Sequence, residues 1–269
     1  MASVELDFVD LESANGKVAF VTLNRPEQAN ALNDDMIFLL NKICTQLASD
    51  SNCRVVVLKS RGKHFSAGAD LSWMKAVKST NPLNASTDDL AQVFAKIKNL
   101  PQPSIAVVRG AAYGGALGLT AACDIAIASE QTTFCFSEVK WGLLPAVILP
   151  YVSAKMSRTS LVRFGLTAAT FSGREAFESG LVSIVASDQE LHACLRQEID
   201  RLLAGGPKAQ RAFKQLMQGL DASSSFLSLC SETILRARRE EEGQQGMSAF
   251  LDKRSPPWVS RFSKELDLS

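Results

Sequence analysis

The chain has 269 residues, of which 46% are hydrophobic and 21% are charged, so it can bury a substantial core. Basic and acidic residues nearly cancel, to a formal net charge of +1, which gives no reason to expect binding to nucleic acid or to an anionic membrane. No apolar stretch reaches the ~18 residues that cross a bilayer, and the acidic N-terminus lacks the pattern of a secretory signal. We therefore expect a cytoplasmic globular protein.

The first two thirds of the chain alternate between short β-branched runs and longer helical patterns. Residues 18–24 predict a strand that stops at Arg25 and Pro26, and residues 34–49 carry apolar side chains at helical spacing. Three further apolar runs predict strands: 54–59, 104–108 and 124–128. The first of these is continuous enough to be buried on both faces of a sheet. The alternation as a whole predicts an α/β core.

Two breaks divide this pattern. Residues 74–90 are polar and include Pro82, which predicts a mobile surface loop. Residues 205–207 read Gly-Gly-Pro, and only helical patterns follow them. We therefore predict a core over residues 1–205 and a helical C-terminal region over residues 206–269.

Several familiar kinds of site find no support in the sequence. The six cysteines form no Cys-x-x-Cys pair and are expected to be buried reduced thiols. The two histidines, His64 and His192, are far apart, which argues against a zinc site or a Ser-His-Asp triad. Because the sequence also lacks the GxGxxG, Walker A and GxSxG patterns, dinucleotide binding and serine hydrolysis have no support.

Two loops rich in small residues are candidates for a catalytic role. Residues 64–71 and residues 110–119 each follow a predicted strand, and Gly114 and Gly115 would open a helix. Two such loops, brought together, can direct two backbone N–H groups at one carbonyl oxygen and so form an oxyanion hole. The alternative is that these glycines only allow tight turns.

A third segment, residues 134–140, places the carboxylate of Glu138 in an apolar run. Such a glutamate either faces solvent, pairs with a cation such as Lys140, or is desolvated. In the last case its pKa rises towards neutrality, and the side chain can act as an acid and a base.

Together these segments resemble the crotonase (enoyl-CoA hydratase/isomerase) superfamily over almost the whole chain. Six matching pieces occur in family order: 23–32, 65–70, 110–124, 134–142, 166–181 and 241–250. In local motifs the chain is most similar to bacterial-type methylglutaconyl-CoA and isohexenylglutaconyl-CoA hydratases. The resemblance implies an α/β spiral of ββα units with a C-terminal helical trimerisation region, assembled as a homotrimer or a dimer of trimers.

The resemblance also implies roles for individual residues. The backbone N–H groups of Ala67 and Gly115 would bind the thioester carbonyl, and Glu138 would be the acid/base. Further residues would contact the acyl group or the CoA arm: Gln28, Ala29, Ser66, Gly68, Ala69, Asp70, Leu71, Trp73, Gly114, Trp141, Phe250 and Lys253. Apart from the resemblance, a distal carboxylate on the favoured substrate would need a cationic or hydroxyl partner such as Lys75 or Tyr113; the alternative is that Lys75 is an ordinary solvated lysine. CoA belongs to the acyl-CoA substrate, so neither a separate cofactor nor a metal is implied.

The sequence departs from the family pattern at two places. Two-glutamate hydratases carry a second glutamate where this chain has Gly118, so Glu138 acts alone or with help from elsewhere. Residues 144–151 are bulkier than the Pro-Gly-x-Gly-Gly run of many members, which should reshape the acyl pocket. Trp73 and Trp141 either line that pocket or pack in the core.

Three functions fit these features. The favoured one is hydration of a branched, glutaconyl-type enoyl-CoA thioester. A 3,2-enoyl-CoA isomerase could use the same single glutamate to move one proton between two carbons. A non-catalytic acyl-CoA-binding homologue would keep the fold but turn over neither substrate.

Overall fold

The structure is a computed structural model that describes residues 3–11, 16–70, 83–219, 236 and 239–262, without the side chains of 83–87 and Phe250. The strands are β1 (Val4–Asp10), β2 (Lys17–Leu23), β3 (Cys53–Ser60), β4 (Ser104–Val108), β5 (Ala111–Tyr113), β6 (Ile125–Ser129), β7 (Thr133–Cys135), β8 (Phe171–Ser172) and β9 (Ile184–Ala186). The helices are α1 (Asp34–Ser49), α2 (Leu83–Lys98), α3 (Gly115–Ala122), α4 (Leu149–Ser153), α5 (Arg158–Thr167), α6 (Gly173–Ser179), α7 (Leu191–Ala204), α8 (Pro207–Gln218) and α9 (Glu241–Leu251). Over these ranges, no helix is both long enough and apolar enough to span a membrane.

The described strands form two sheets. The larger has the order β1-β2-β3-β4-β6-β9, and the smaller has the order β5-β7-β8. In the larger sheet β1 is antiparallel to β2, whereas the other pairs are parallel. Parallel strands joined through helices confirm the predicted α/β class.

Strand β3 is buried on both faces of the larger sheet. Val55 and Val57 belong to one core together with apolar residues of α7. Val56 and Leu58 belong to a second core together with residues of α1, α2 and α3. Successive side chains of a strand point to opposite faces, so a continuous apolar run lets both layers of helices pack on β3, as predicted.

Helix α2 corrects one prediction. The mobile loop expected over residues 74–90 is wrong from Leu83 onwards, where the helix begins, and residues 74–82 lie outside the described part of the chain. A stripe of side chains on this helix is buried in the core: Leu90, Val93, Phe94 and Ile97. The polar first turns hide this helical spacing from a reading of the sequence.

The cysteines that the structure describes are free. Cys44, Cys53 and Cys123 are buried, and burial raises the pKa of each thiol to about 12. Cys135 is also free and buried, so the prediction of buried reduced thiols is confirmed for these four; Cys194 is only half-buried, so for it the prediction of burial is wrong. The described residues contain no group of three or more His, Cys, Asp or Glu side chains that could hold a metal ion.

Helix α8 is attached to the core by Lys214. Its Nζ lies 2.5 Å from Asp124 Oδ2 and donates to the carbonyl oxygen of Gln102 at 2.8 Å. The same carboxylate oxygen of Asp124 accepts from the backbone N–H and the hydroxyl of Ser104. The division of the chain near residue 206 stays a prediction. This contact is one of several that join the helical region to the core, and another runs from Arg54 of β3 to the carbonyl oxygen of Trp258.

We expect Lys214→Met to lower the free energy of unfolding by about 1–3 kcal/mol. We expect an effect between those of exposed and fully buried ion pairs, because the side chain of Lys214 is 11% exposed and that of Asp124 is 25% exposed. Chemical denaturation measures it, and Lys208→Met, an exposed lysine of the same helix, is the control. Equal stability of the two variants would show that the contact with Asp124 contributes nothing.

Candidate active site

Two loops lie side by side where β3 and β4 end. In the first loop, residues 65–70, Ser66 donates its backbone N–H to Ala111 and accepts from Tyr113, at 3.1 and 3.0 Å. Gly68 has φ +90°, and a Cβ on it would lie 2.7 Å from the carbonyl oxygen of Tyr113. Only glycine fits so close to the second loop, residues 110–115, so the two loops meet as the sequence predicts.

The backbone N–H groups of the first loop are almost all used inside the protein. Those of Phe65, Ser66, Ala67, Gly68 and Asp70 donate respectively to Arg109 O, Ala111 O, Ala29 O, Ser66 Oγ and Leu32 O. Among the residues that the structure describes, no acceptor lies in hydrogen-bond reach of the N–H of Ala69. This group is therefore the donor that the loop leaves for a ligand.

This arrangement moves the predicted donor from Ala67 to Ala69. The N–H of Ala67 donates to Ala29 O at 2.9 Å and has no second proton to offer. The carbonyl oxygen of Gly68 accepts from the N–H of Leu32 at 2.7 Å. Because C=O and N–H point in opposite directions across a trans peptide, the N–H of Ala69 points away from Leu32.

Gly115 supplies a second unused N–H from the second loop. It is the first residue of α3, and Gly114 before it has φ +52°. The carbonyl oxygen of Gly114 accepts from Leu117 at 2.9 Å, so the N–H of Gly115 points out of the helix N-terminus. No described residue accepts from it, and the helix dipole favours negative charge there. The geometry supports the predicted role of Gly115.

The carboxyl group of Glu138 lies against the second loop. Glu138 begins the 3₁₀ turn Glu138–Trp141 that follows β7, and its Oε1 lies 3.1 Å from the Cβ position of Gly114. Its Oε2 is buried and has no hydrogen-bond partner in the described structure. Burial raises the pKa of this carboxyl group above its ordinary value. The described ion pairs do not include Glu138, so the alternative of neutralisation by Lys140 is not observed.

Gly118 lies one turn after Gly115 on α3, and the space around it is filled. A Cβ on Gly118 would lie 2.5 Å from Cγ2 of Ile148 and 2.8 Å from Cζ of Phe94. Phe94 and Ile148 are 0% and 2% exposed. Apolar side chains therefore stand where a side chain at position 118 would point, and this side of the site has an apolar wall.

The segment of residues 25–32 holds the first loop from the other side. The side chain of Arg25 lies 2.6 Å from Asp70 Oδ2 and also donates to Ala31 O. Ala29, which is left-handed with φ +49°, presents the carbonyl oxygen that binds Ala67. Gln28 ends an exposed 3₁₀ turn beside it. The predicted contact residues of this segment thus lie next to those of the first loop.

Of the remaining predicted residues, the structure describes Trp141, Lys253 and Tyr113 in full. Leu71, Trp73 and Lys75 lie outside the described residues, as does the side chain of Phe250. Trp141 is 69% exposed, so of its two predicted placements core packing is wrong. Lys253 is exposed beyond the end of α9. The hydroxyl of Tyr113 lies 3.4 Å from that of Thr133.

Sequence reasoning missed Phe94 and the donor role of Ala69, although Ala69 was named as a contact. The bulk of residues 144–151 did signal a reshaped pocket, and Ile148 comes from that run. Phe94 carries no signal of its own, because it is one apolar residue of a helical stripe. Its importance comes from a contact between helices distant in sequence.

The fold and the site together have the features of an enzyme that stabilises negative charge on a carbonyl oxygen. Two backbone N–H groups, from Ala69 and Gly115, have no acceptor among the described residues where the two loops meet. The half-buried side chain of Glu138, whose Oε2 is buried and whose carboxyl pKa is raised, lies against the same loop. Such donors stabilise charge that develops on a carbonyl oxygen, while the carboxyl group can carry a proton.

Comparison with known proteins gives the family. Residues 13–261 match the family described as enoyl-CoA hydratase/isomerase. The short-chain-enoyl-CoA hydratase of Clostridium acetobutylicum is 32% identical over 93% of this chain and 97% of its own length. An enoyl-CoA hydratase structure from Shewanella pealeana is 38% identical with a TM-score of 0.86, covering 93% of this chain and 94% of its own. Pseudomonas aeruginosa AtuE is 30% identical with a TM-score of 0.90, covering 96% and 99%.

The chain belongs to the enoyl-CoA hydratase/isomerase family, and it is an enzyme with the mixed α/β crotonase fold.

Proposed function

We propose that this enzyme adds water to the double bond of a branched, glutaconyl-type enoyl-CoA thioester. The observation that carries the hydration chemistry is the buried Oε2 of Glu138, which has no hydrogen-bond partner among the described residues. Its carboxyl group lies against Gly114, and the N–H of the following residue, Gly115, has no acceptor in that part of the chain either. The names of the relatives, which include enoyl-CoA hydratases, support hydration. CoA enters as part of the substrate, and the chemistry needs no further cofactor.

In the proposed reaction the thioester carbonyl oxygen accepts from the N–H groups of Ala69 and Gly115. The carboxylate of Glu138 takes a proton from water as the water oxygen bonds to Cβ of the substrate. The π pair of the C=C bond shifts to form a double bond between Cα and the thioester carbon, and the carbonyl π pair moves onto its oxygen. The two donors stabilise the enolate that results. Protonated Glu138 then gives the proton to Cα, while its raised pKa makes the carboxylate a stronger base for taking the proton from water.

The branched glutaconyl substrate rests on motif similarity. It is supported by the run at residues 65–74, by Gly118, and by residues 135–146, which resemble the glutaconyl-CoA hydratases. The distal carboxylate of such a substrate would bind Tyr113 or Lys75. Of these two, the described structure includes Tyr113, whose hydroxyl is near Thr133.

A second candidate function is 3,2-enoyl-CoA isomerisation. Phe94 and Ile148 fill the space at Gly118, so no second carboxylate is held there. One carboxylate beside an apolar wall suits the transfer of a proton between two carbons without the addition of water. The same filled space argues against a direct substitute for the second glutamate at this position.

The deciding experiment follows the ultraviolet band of the enoyl thioester in ¹⁸O water, with products identified by mass. The panel contains 3-methylglutaconyl-CoA, crotonyl-CoA and a 3-enoyl-CoA. Loss of the band with 3-methylglutaconyl-CoA, and ¹⁸O in its product, supports the proposal. Hydration of crotonyl-CoA alone would overturn the glutaconyl assignment. A rising band from the 3-enoyl substrate without ¹⁸O would establish the isomerase instead. Binding without turnover of any substrate would indicate the non-catalytic homologue.

We also propose assembly as a homotrimer or a dimer of trimers through the C-terminal helices. Support comes from large apolar side chains exposed on α8 and α9: Phe213, Met217, Met247 and Leu251. Exposed apolar patches of this kind mark interaction surfaces.

If α8 mediates assembly, we expect Phe213→Ser to reduce the molar mass of the particle in solution. Phe213 is 65% exposed, and its removal would take apolar area out of the interface. Light scattering after size-exclusion chromatography measures the mass. Phe38, 67% exposed on α1, gives the matched control Phe38→Ser. An unchanged mass for Phe213→Ser, or an equal loss for both variants, would contradict assembly through α8.

A further inference from the structure

The hydroxyl of Ser66 lies between two backbone groups of the proposed oxyanion hole. It donates to the carbonyl oxygen of Asn30 at 2.8 Å and accepts from the N–H of Gly68 at 3.2 Å. Ser66 is fully buried, so water does not replace either bond. The hydroxyl has one proton, which goes to Asn30, and a lone pair, which receives Gly68. The side chain of Ser66 thus fixes the peptide between Ala67 and Gly68. The next peptide along the chain carries the N–H of Ala69.

Asn30 is itself held rigidly. It is fully buried with φ +52°, a conformation that asparagine tolerates better than most residues. Its Oδ1 accepts from the N–H of Arg25 at 2.7 Å, and its Nδ2 donates to the carbonyl oxygens of Arg61 and His64 at 2.9 and 2.8 Å. The carbonyl oxygen that binds Ser66 is therefore a fixed point between the segment of residues 25–32 and the first loop.

We propose that Ser66, anchored on Asn30, is a positioning residue that sets the direction of the Ala69 N–H towards the substrate carbonyl. The carbonyl oxygen of Gly68 is bound by Leu32, and its N–H is bound by Ser66. With the N–H and the C=O of Gly68 both hydrogen-bonded, the peptide between Gly68 and Ala69 has one orientation. Without the hydroxyl, the buried N–H of Gly68 loses its acceptor, and the loop can relax by rotating its peptides. The inference rests on the proposed function, because it concerns the donor for the thioester oxygen.

The test compares Ser66→Ala with the wild type in two measurements. The first is steady-state turnover of the substrate that the enzyme hydrates, with kcat and KM determined separately. The second is the ¹³C chemical shift of a saturated acyl-CoA labelled at the thioester carbonyl, which moves when a bound carbonyl is polarised. Ser179→Ala is the matched control, since Ser179 is also buried and donates one bond, to Ala176 O on α6.

For Ser66→Ala we expect kcat to fall by about 10-fold or more with a small change in KM, since misplaced donors weaken binding of the transition state. The carbonyl signal of the bound ligand should move back towards that of the free ligand. Ser179→Ala should change neither quantity. Unchanged kcat and an unchanged carbonyl signal in Ser66→Ala would overturn the inference.

Two further outcomes are distinguishable. If Ser66→Ala does not fold, Ser66→Cys keeps the shape of the side chain with a weaker donor and acceptor. An intermediate kcat and carbonyl shift in Ser66→Cys supports the inference, and wild-type values overturn it. If the wild-type protein binds the labelled ligand without any carbonyl shift, the oxyanion hole itself is wrong, and the proposed function fails together with the role of Ser66.

Discussion

Glu138→Gln is expected to lower kcat by about 10²–10⁴-fold while binding of a CoA thioester is retained. Glutamine keeps the size of the side chain but cannot take or return the proton. The Oε2 of Glu138 has no partner in the described structure, so no other described group is hydrogen-bonded to it to take over the proton. Steady-state kinetics on the substrate found by the panel, with calorimetric binding of a saturated acyl-CoA, measures both quantities.

The control for this substitution is Glu130→Gln, the same change at an exposed glutamate between β6 and β7. It should leave kcat within about twofold, as surface substitutions away from a site usually do. Unchanged turnover in Glu138→Gln would remove Glu138 from the mechanism. Loss of turnover in both variants would point to general damage rather than to the acid/base role.

The raised pKa of Glu138 also predicts how stability depends on pH. A carboxyl group with a raised pKa binds its proton more tightly in the folded state than in the unfolded state. Its contribution to stability therefore falls as the pH rises from the ordinary value through the raised one. Glu138→Gln removes this penalty, so the variant should melt at a higher temperature than the wild type at about pH 8 and not at about pH 4. Calorimetry at the two pH values checks this, and a variant less stable than the wild type at the higher pH would contradict it.

Gly118→Ala is expected to destabilise the fold by about 1–3 kcal/mol and to lower kcat by about 10- to 100-fold. The new Cβ would lie 2.5 Å from Ile148 and 2.8 Å from the ring of Phe94, which are contacts that real Cβ atoms do not make. Helix α3 or the two buried side chains must shift to relieve them, and a shift of the helix moves its first N–H, that of Gly115. Chemical denaturation and steady-state kinetics measure the two effects.

Gly165→Ala is the matched control, since Gly165 lies in α5 and a Cβ there would meet nothing within 4 Å. Alanine favours a helix over glycine by up to about 1 kcal/mol, so this variant should be neutral or more stable. Ile148→Ala should relieve part of the damage, and the double variant with Gly118→Ala should be more stable than the sum of the single effects. Additive effects, or a Gly118→Ala variant as stable as Gly165→Ala, would show that the space is not filled.

The same contacts predict that Gly118→Glu does not create a two-glutamate enzyme. A carboxylate there would be forced between Phe94 and Ile148, which are apolar and buried. Unpaired charge in such surroundings is costly. The introduced side chain would therefore either unfold the protein or stay protonated as a neutral carboxyl group. In neither case could it position water.

Most of the fold could be predicted from patterns among residues that are neighbours in the sequence. The apolar run at residues 54–59 predicted β3 because both of its faces are covered by helices. The periodicity of residues 34–49 predicted α1, and Asn33, whose Oδ1 accepts from Met36, marks its beginning. Where the local signal was mixed, as in the polar start of α2, the prediction was wrong.

The site, like the fold, could be predicted from the sequence only in part. The sequence determined by itself that two small-residue loops follow strands, that Glu138 stands in an apolar run, and that position 118 has no carboxylate. Only the tertiary structure decided that Ala69, not Ala67, keeps an N–H without an acceptor among the described residues, and that Phe94 fills the space at Gly118. The physical reason is that a free donor is what remains after all other pairings are made. Those pairings, like the contact of Phe94, join segments far apart in the chain.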